Sequence, residues 1–273
     1  VVGHQREQVG PEVEKAAAEL DREIIQAVQE EQNGTGHAVA CGMDPLGEYD
    51  GTVIVTNGDV PLLTAETIGS LYRAHVDAGA AVTVLTMKLA DPTGYGRIIR
   101  DDDNEVTAIV EQKDGTPEQL AVDEVNSGVF AFDGAILRDA LGRLDTDNAQ
   151  GELYLTDVLG IARADGHPVR AHVAADPREL AGVNNRVQLA AAGKELNRRL
   201  VEQAMLGGAT VVDPDTTWIG VNVRIGQDVT IHPNTQLWGA TTIGDGAVLG
   251  PDTTLTDMSV GERASVIRTQ GER

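Results

Sequence analysis

The chain has 273 residues, room for more than one domain and for a sizeable apolar core. Its 43 acidic against 21 basic residues give a formal charge of -22, which repels phosphate backbones and argues against a nucleic-acid partner, while a small phosphorylated ligand would need a divalent cation beside it. No apolar run approaches the ~20 residues of a membrane span, no signal peptide is evident, and the single Cys41 rules out an intramolecular disulfide and suits a reducing cytoplasm.

The chain opens on Val1-Val2-Gly3-His4, as if entering at the end of a strand, and stops at Gly271-Glu272-Arg273 without a closing element, so it is expected to be part of a longer protein. Glu12–Leu20 reads as a helix. Glu23–Gln29 is ambiguous, because Ile24, Ile25 and Val28 suit a helix face as well as a short strand. Asn33-Gly34-Thr35-Gly36-His37-Ala38 is a turn running into a small-residue helix, whose exposed amides suit an anion or a polar ring edge. The plainer reading is a loop with two glycines and a packing histidine.

Thr52–Val55 is a β-branched strand candidate that runs into Asn57-Gly58-Asp59-Val60-Pro61. Asn-Gly and Asp are turn residues in their own right. In open α/β sheets, however, ligands bind at the carboxyl ends of strands, where an acidic oxygen suits Mg²⁺. Thr64 is a predicted N-cap for a helix over Ala65–Val76, with Glu66 in its first turn. Further strands are predicted over Ala81–Met87, Val106–Val110, Val125–Phe132 and Val169–Val173, and helices over Ala135–Leu141 and Val187–Met205. This alternation implies an α/β layer fold with a Rossmann-like, mostly parallel sheet. Between these elements stand Asp91-Pro92-Thr93-Gly94-Tyr95-Gly96-Arg97, a glycine-flanked turn able to approach a sugar or nucleotide closely; Glu111-Gln112-Lys113 directly after a strand; and Asn126 inside one. Gly182-Val183-Asn184-Asn185-Arg186 opens the long helix, and one of the two asparagines suits its cap.

After Pro214 the apolar period changes to six. Ile219, Ile225, Ile231, Leu237, Ile243, Leu249 and Leu255 fall at unbroken intervals of six, which neither a helix nor a flat strand produces. A triangular coil with one hexapeptide per side does, so a left-handed parallel β-helix is predicted. The frame slips at Val260-Gly261, which predicts an imperfect last coil or an interrupting loop. Trp218 and Trp238 suit either an interface between chains or the outer wall of the coil.

Taken in order, GTGHA, NGDVPLL, DPTGYGRI, IVEQKD, EVNSGVF, NAQGELYLTD and GVNNRVQL resemble the motifs of sugar-nucleotidyltransferases. Followed by hexapeptide repeats, they are similar over essentially the whole chain to bacterial bifunctional N-acetylglucosamine-1-phosphate uridyltransferase / glucosamine-1-phosphate acetyltransferases. The resemblance implies a nucleotidyltransferase domain over 1–184, a connecting helix over 185–208 and the start of an acetyltransferase β-helix over 209–273. It implies that Gln29, Gly34 and Thr35 contact uracil, with a strand delivering Gln29. Gly96, Glu111 and Asn126 would hold N-acetylglucosamine, and Asp59 and Asn184 would coordinate Mg²⁺, Asp59 being the catalytic position. The implied substrates are UTP and N-acetylglucosamine 1-phosphate, with acetyl-CoA for the longer parent, and the implied assembly is a cytoplasmic homotrimer. The family's N-terminal phosphate loop and its acetyltransferase centre have no counterpart here, so this chain alone is expected to have little of either activity. A nucleotidyltransferase for another hexose phosphate and a scaffold without turnover are the alternatives.

Overall fold

A computed structural model describes residues 1–273, which divide into two compact units, Val1–Ala181 and Gly182–Arg273. The first unit is a sheet covered by helices on both faces. Its strands are β1 (Thr52–Val55), β2 (Val82–Lys88), β3 (Arg97–Arg100), β4 (Val106–Val110), β5 (Glu124–Asp133) and β6 (Val169–Val173). They lie in the order β4-β3-β5-β2-β6, with β1 also on β5.

The sheet is mixed, which corrects the mostly parallel one expected. β2 and β6 are parallel, whereas β5 runs antiparallel to β2 along one edge and to β1 and β3 along the other. The connection from β1 to β2 passes through helix α3 (Ala65–Asp77) and leaves the two strands parallel but one strand apart. The reversed β5 fills that gap, a long-range event that local alternation of strand and helix does not report.

Alternation along β5 supplies two cores. Phe130 and Phe132, stacked with ring centroids 5.3 Å apart, pack on one face with Met43, Val82, Val84, Leu137, Val158 and Leu159. Val129 and Ala131 face the other way with Leu71, Leu85 and Leu180. Opposite Leu85 and Thr86 the register jumps from Val129 to Asn126, so Ser127 and Gly128 form a bulge. Such a bulge re-aims the residues beside it, and here that residue is Asn126. The Ser127 hydroxyl ties the bulge down, donating to Leu85 O at 2.7 Å.

Several predicted elements need adjusting. The first helix, α1, covers Arg6–Glu19, with Pro11 inside it. Glu23–Gln29 forms no strand. Val28 makes a single parallel bridge to Val2, and the chain turns away into α1 too soon for a ladder. α2 (Thr35–Met43) follows the GTG turn as expected, and Thr64 caps α3 by accepting from Thr67 N–H at 3.2 Å. β3, the short α4 (Pro117–Leu120) and α6 (Asp157–Ala164) were not anticipated, and α5 (Gly134–Leu141) was.

The second unit begins with α7 (Arg186–Leu206), capped by Asn185 Oδ1, which accepts from Val187 and Gln188 N–H at 3.0 Å. A parallel β-helix follows in three sheets. One contains β7 (Thr210–Val211), β10 (Thr230–Ile231), β13 (Val248–Leu249) and β16 (Ser265–Val266). The next contains β8 (Trp218–Ile219), β11 (Thr235–Trp238), β14 (Thr253–Thr256) and β17 (Gln270–Glu272). The third contains β9 (Arg224–Ile225), β12 (Thr242–Ile243) and β15 (Ser259–Val260). The period-six residues stack in register, Ile231 on Leu249 and Ile219 on Leu237 on Leu255. All are buried except the half-buried Ile225.

The frame slip breaks nothing. Ile243 stacks on Val260 and Leu249 on Val266, one residue short of the usual eighteen, and the coil continues to β17. Asp257 takes up the shortened corner with φ 55°, and its carboxylate accepts from Ala240 N–H at 2.8 Å. Trp218 and Trp238 lie against one another on the outer wall, centroids 6.4 Å apart.

Candidate functional site

The carboxyl end of β1 presents the segment Asn57-Gly58-Asp59 to solvent, while the next residues anchor it: Val60 and Leu62 are buried. The Asp59 carboxylate is exposed and takes no hydrogen bond or ion pair from the protein. Asn57 packs directly against Gly128, whose φ of 79° and crowded α-carbon leave no room for a side chain. The β1 loop therefore abuts the bulge of β5 through Asn57, two residues before Asp59.

Three separate motifs meet at that bulge. Asn126 N–H donates to Gly96 O at 2.8 Å, and its Oδ1 accepts from Gly128 N–H at 2.9 Å. A Cβ built on Gly96 would stand 3.3 Å from both carboxylate oxygens of Glu111. Gly96, Glu111 and Asn126 are thus brought together from the residue before β3, from the residue after β4 and from β5. Glu111 is half-buried, and burial pushes its carboxyl up; the Thr156 hydroxyl, 3.4 Å away, pulls the other way, while Asp114 and Asp157 add to the rise. Burial raises Asp157 likewise, with Asp145 and Asp114 contributing.

The GTG turn forms a second cluster. Gln29 is buried and its Nε2 donates to Gly34 O at 3.1 Å. Gly34 has φ 104°, and a Cβ there would come within 2.5 Å of Leu153 O, so only glycine fits. The Thr35 hydroxyl accepts from Leu155 N–H at 3.0 Å, Gly36 N–H donates to Leu153 O at 2.8 Å, and Leu153 N–H donates to Asn33 O at 2.9 Å. His37 packs inside the turn, with Nδ1 2.9 Å from Glu31 O and 3.2 Å from Gln29 Nε2, in keeping with its plainer reading.

One loop joins the two clusters. Its Leu153–Leu155 stretch holds the GTG turn, and Thr156 contacts Glu111. On the far side Ala149 N–H donates to Asp114 Oδ1 at 2.9 Å, and Lys113 Nζ donates to Gln150 Oε1 at 2.7 Å. Tyr154 and Thr156, both buried, and Gln112 are site-forming residues that sequence reasoning missed. Their motifs stood out in the sequence, yet nothing local said which side chains turn inward. Asn184 is exposed at the start of the second unit, and its N–H donates to Gln188 Oε1 at 2.7 Å.

An exposed, unpartnered carboxylate at a strand's carboxyl end is a hard oxygen donor of the kind Mg²⁺ takes. The two clusters offer backbone amides, side-chain amides and carboxylates but no activated nucleophile. That set is suited to holding a polyhydroxylated, phosphorylated ligand by hydrogen bonds.

The family Nucleotidyl transferase matches residues 3–177, and Bacterial transferase hexapeptide (six repeats) matches residues 222–257. The chain is 72% identical over 271 residues to the Bifunctional protein GlmU of Corynebacterium aurimucosum, covering 99% of this chain and 56% of that protein. It is 70% identical over 271 residues to the protein of the same name from Corynebacterium glutamicum, again 99% of this chain and 56% of the relative. Against that of Streptomyces avermitilis it is 58% identical over 275 residues, 100% of this chain and 56% of the relative. The chain spans about half the length of the curated relatives it matches. No helix is long and apolar enough to cross a membrane.

Proposed function

The chain belongs to the nucleotidyl transferase family, and from that premise we propose that it transfers UMP from UTP to N-acetylglucosamine 1-phosphate, giving UDP-N-acetylglucosamine and pyrophosphate. The observation that carries the sugar half of this reading is the meeting of Gly96, Glu111 and Asn126 beside the loop that bears Asp59. The Asn126 amide and the Glu111 carboxyl offer a donor and acceptors to sugar hydroxyls and to an acetamido group. On the base side, Gln29 Nε2 is engaged by Gly34 O, which leaves Oε1 to accept from the uracil ring N–H, with the Gly34–Thr35 backbone along the ring edge.

The phosphate oxygen of the sugar attacks the α-phosphorus of UTP in line, and pyrophosphate leaves. No covalent enzyme intermediate is required, so the chain's own part is to align the two substrates and exclude wrong ones. Asp59 would hold Mg²⁺ by its free carboxylate, and the resemblance adds the Asn184 amide oxygen as a further ligand. When bound, the cation supplies the positive charge that crowded phosphates need, a need sharpened by a chain of charge -22. At the full length of its relatives, whose shared name is bifunctional, the protein would also acetylate glucosamine 1-phosphate from acetyl-CoA through its hexapeptide domain, as a cytoplasmic homotrimer.

The test is a panel of nucleoside triphosphates and sugar 1-phosphates with pyrophosphate release as the readout, run on the full-length protein with and without Mg²⁺. UTP with N-acetylglucosamine 1-phosphate is the expected best pair. Preference for another base or an un-acetylated hexose phosphate overturns the assignment.

A further inference from the structure

Arg97 is 2% exposed, and none of its hydrogen-bond acceptors is a carboxylate. Its guanidinium donates to three neutral oxygens: Tyr95 O, Leu120 O at 3.3 Å and Gln112 Oε1 at 2.9 Å. Burying a cation on neutral acceptors is expensive, so its location calls for a reason. Gln112 Oε1 supplies one, because it also accepts from Gly94 N–H at 3.0 Å. A single amide oxygen thus takes one donor from the turn backbone and one from the buried guanidinium. The same guanidinium holds the turn again at Tyr95 O. The turn is fixed at both ends of Gly94-Tyr95, the two residues that precede Gly96, and Gly96 is the residue whose α-carbon lies against Glu111.

We propose that Arg97 and Gln112 are positioning residues for the sugar subsite: a buried guanidinium–amide strut that sets the Gly94–Gly96 backbone at its distance from Glu111. Neither residue touches the sugar in this assignment; both act through Gly96. Arginine is required because its planar fork reaches three acceptors at once, which a lysine ammonium on a flexible stem does not reproduce. The inference rests on the reading of Gly96, Glu111 and Asn126 as the sugar subsite.

The experiment measures binding of UDP and of UDP-N-acetylglucosamine to the chain and its variants by calorimetry. Arg97→Lys and Gln112→Leu are expected to weaken UDP-N-acetylglucosamine by about tenfold while changing UDP by less than about twofold, a split that general loss of stability does not produce. Gln112→Glu keeps an acceptor for both donors and is expected to retain the wild-type ratio of the two affinities. Should Arg97→Lys fail to fold, the two Gln112 variants carry the test alone. A Gln112→Leu ratio equal to that of the wild type overturns the strut, as does equal weakening of both ligands. A wild-type chain that binds UDP and UDP-N-acetylglucosamine equally instead removes the sugar subsite, and the strut with it.

Discussion

The α-carbon of Gly96 lies against the carboxylate of Glu111, so that a Cβ there would meet Ile109 Cγ2 at 3.1 Å and both Glu111 oxygens at 3.3 Å. The backbone at Gly96 is not left-handed, so alanine is allowed by conformation and excluded only by these neighbours. Gly96→Ala is therefore expected to fold with a small loss of stability while displacing the carboxylate by a few tenths of an ångström. Affinity for UDP-N-acetylglucosamine should drop about tenfold, about 1.4 kcal/mol, with UDP little affected. Titration of both ligands checks it, and unchanged sugar-nucleotide affinity rejects a role for this contact.

Glu111 also carries a pH signature. Burial pushes its carboxyl above the ordinary value, against the Thr156 hydroxyl, so the folded chain holds this proton more tightly than the unfolded chain. The sign follows from proton linkage: stability is unpenalised below the unfolded pKa, falls as pH rises through the interval up to the folded pKa, and then levels off. Glu111→Gln removes that loss. Its melting temperature should match the wild type in acid and exceed it at neutral pH, while sugar binding weakens. Glu124 carries the opposite sign: burial raises its carboxyl, but the hydrogen bonds from Arg100 and Thr86 outweigh that and hold it low. Glu124→Gln should therefore cost stability at neutral pH and progressively less as pH falls through the folded pKa. Parallel melting curves across pH decide both.

What was legible in the sequence divides by range. β1, β4 and β6 have their expected bounds because β-branched runs between turn residues are a local signal. The solenoid was legible because its long-range contacts repeat at a fixed sequence spacing. β3 was missed because Arg97-Ile98-Ile99-Arg100 begins and ends in charge, and only the tertiary partners of Arg97 and Arg100 explain their burial. α6 was missed because eight residues containing Gly160 give too short a period. In the site, Asp59 and Glu111 stood out as charges after apolar strands. Gln112, Tyr154 and Thr156 did not, since their roles depend on tertiary partners: Gln112 meets Gly94 and Arg97 from the preceding turn, and Thr156 meets Glu111, 45 residues away.

Gly34 tests the base side. Its φ of 104° and the approach of Leu153 O both oppose a side chain, and strain of this kind costs roughly 1–3 kcal/mol. Gly34→Ala should loosen the zipper between Asn33–Gly36 and Leu153–Leu155 and weaken UDP and UDP-N-acetylglucosamine alike. Equal loss for both ligands distinguishes it from Gly96→Ala. Retained UDP affinity would count against the base subsite.

Asp59 is expected to separate activity from stability. Its carboxylate is exposed and unpartnered, so Asp59→Asn should change folding stability by no more than about 0.5 kcal/mol. Loss of a charge that would hold the cation should lower Mg²⁺-dependent turnover of the full-length protein roughly 100-fold or more. Thermal melts and initial rates over a Mg²⁺ series are the measurements. Wild-type rates in the variant would remove Asp59 from the site.

Asn197 on α7 closes the open edge of the solenoid. β8 is the first strand of its sheet, and an uncovered edge leaves backbone groups without partners. The buried Asn197 side chain supplies them: Nδ2 donates to Thr217 O at 2.8 Å, and Oδ1 accepts from Ile219 N–H at 2.9 Å. A primary amide thus replaces the next strand of the ladder, the kind of cap that stacked repeats require. Asn197→Ala strands both backbone groups, each worth about 1–3 kcal/mol when buried without a partner, so about 2–6 kcal/mol should be lost from this unit. Both tryptophans of the chain, Trp218 and Trp238, lie here, so fluorescence-detected urea unfolding reports the second unit selectively. An unchanged midpoint would mean that water satisfies the edge as well as Asn197 does.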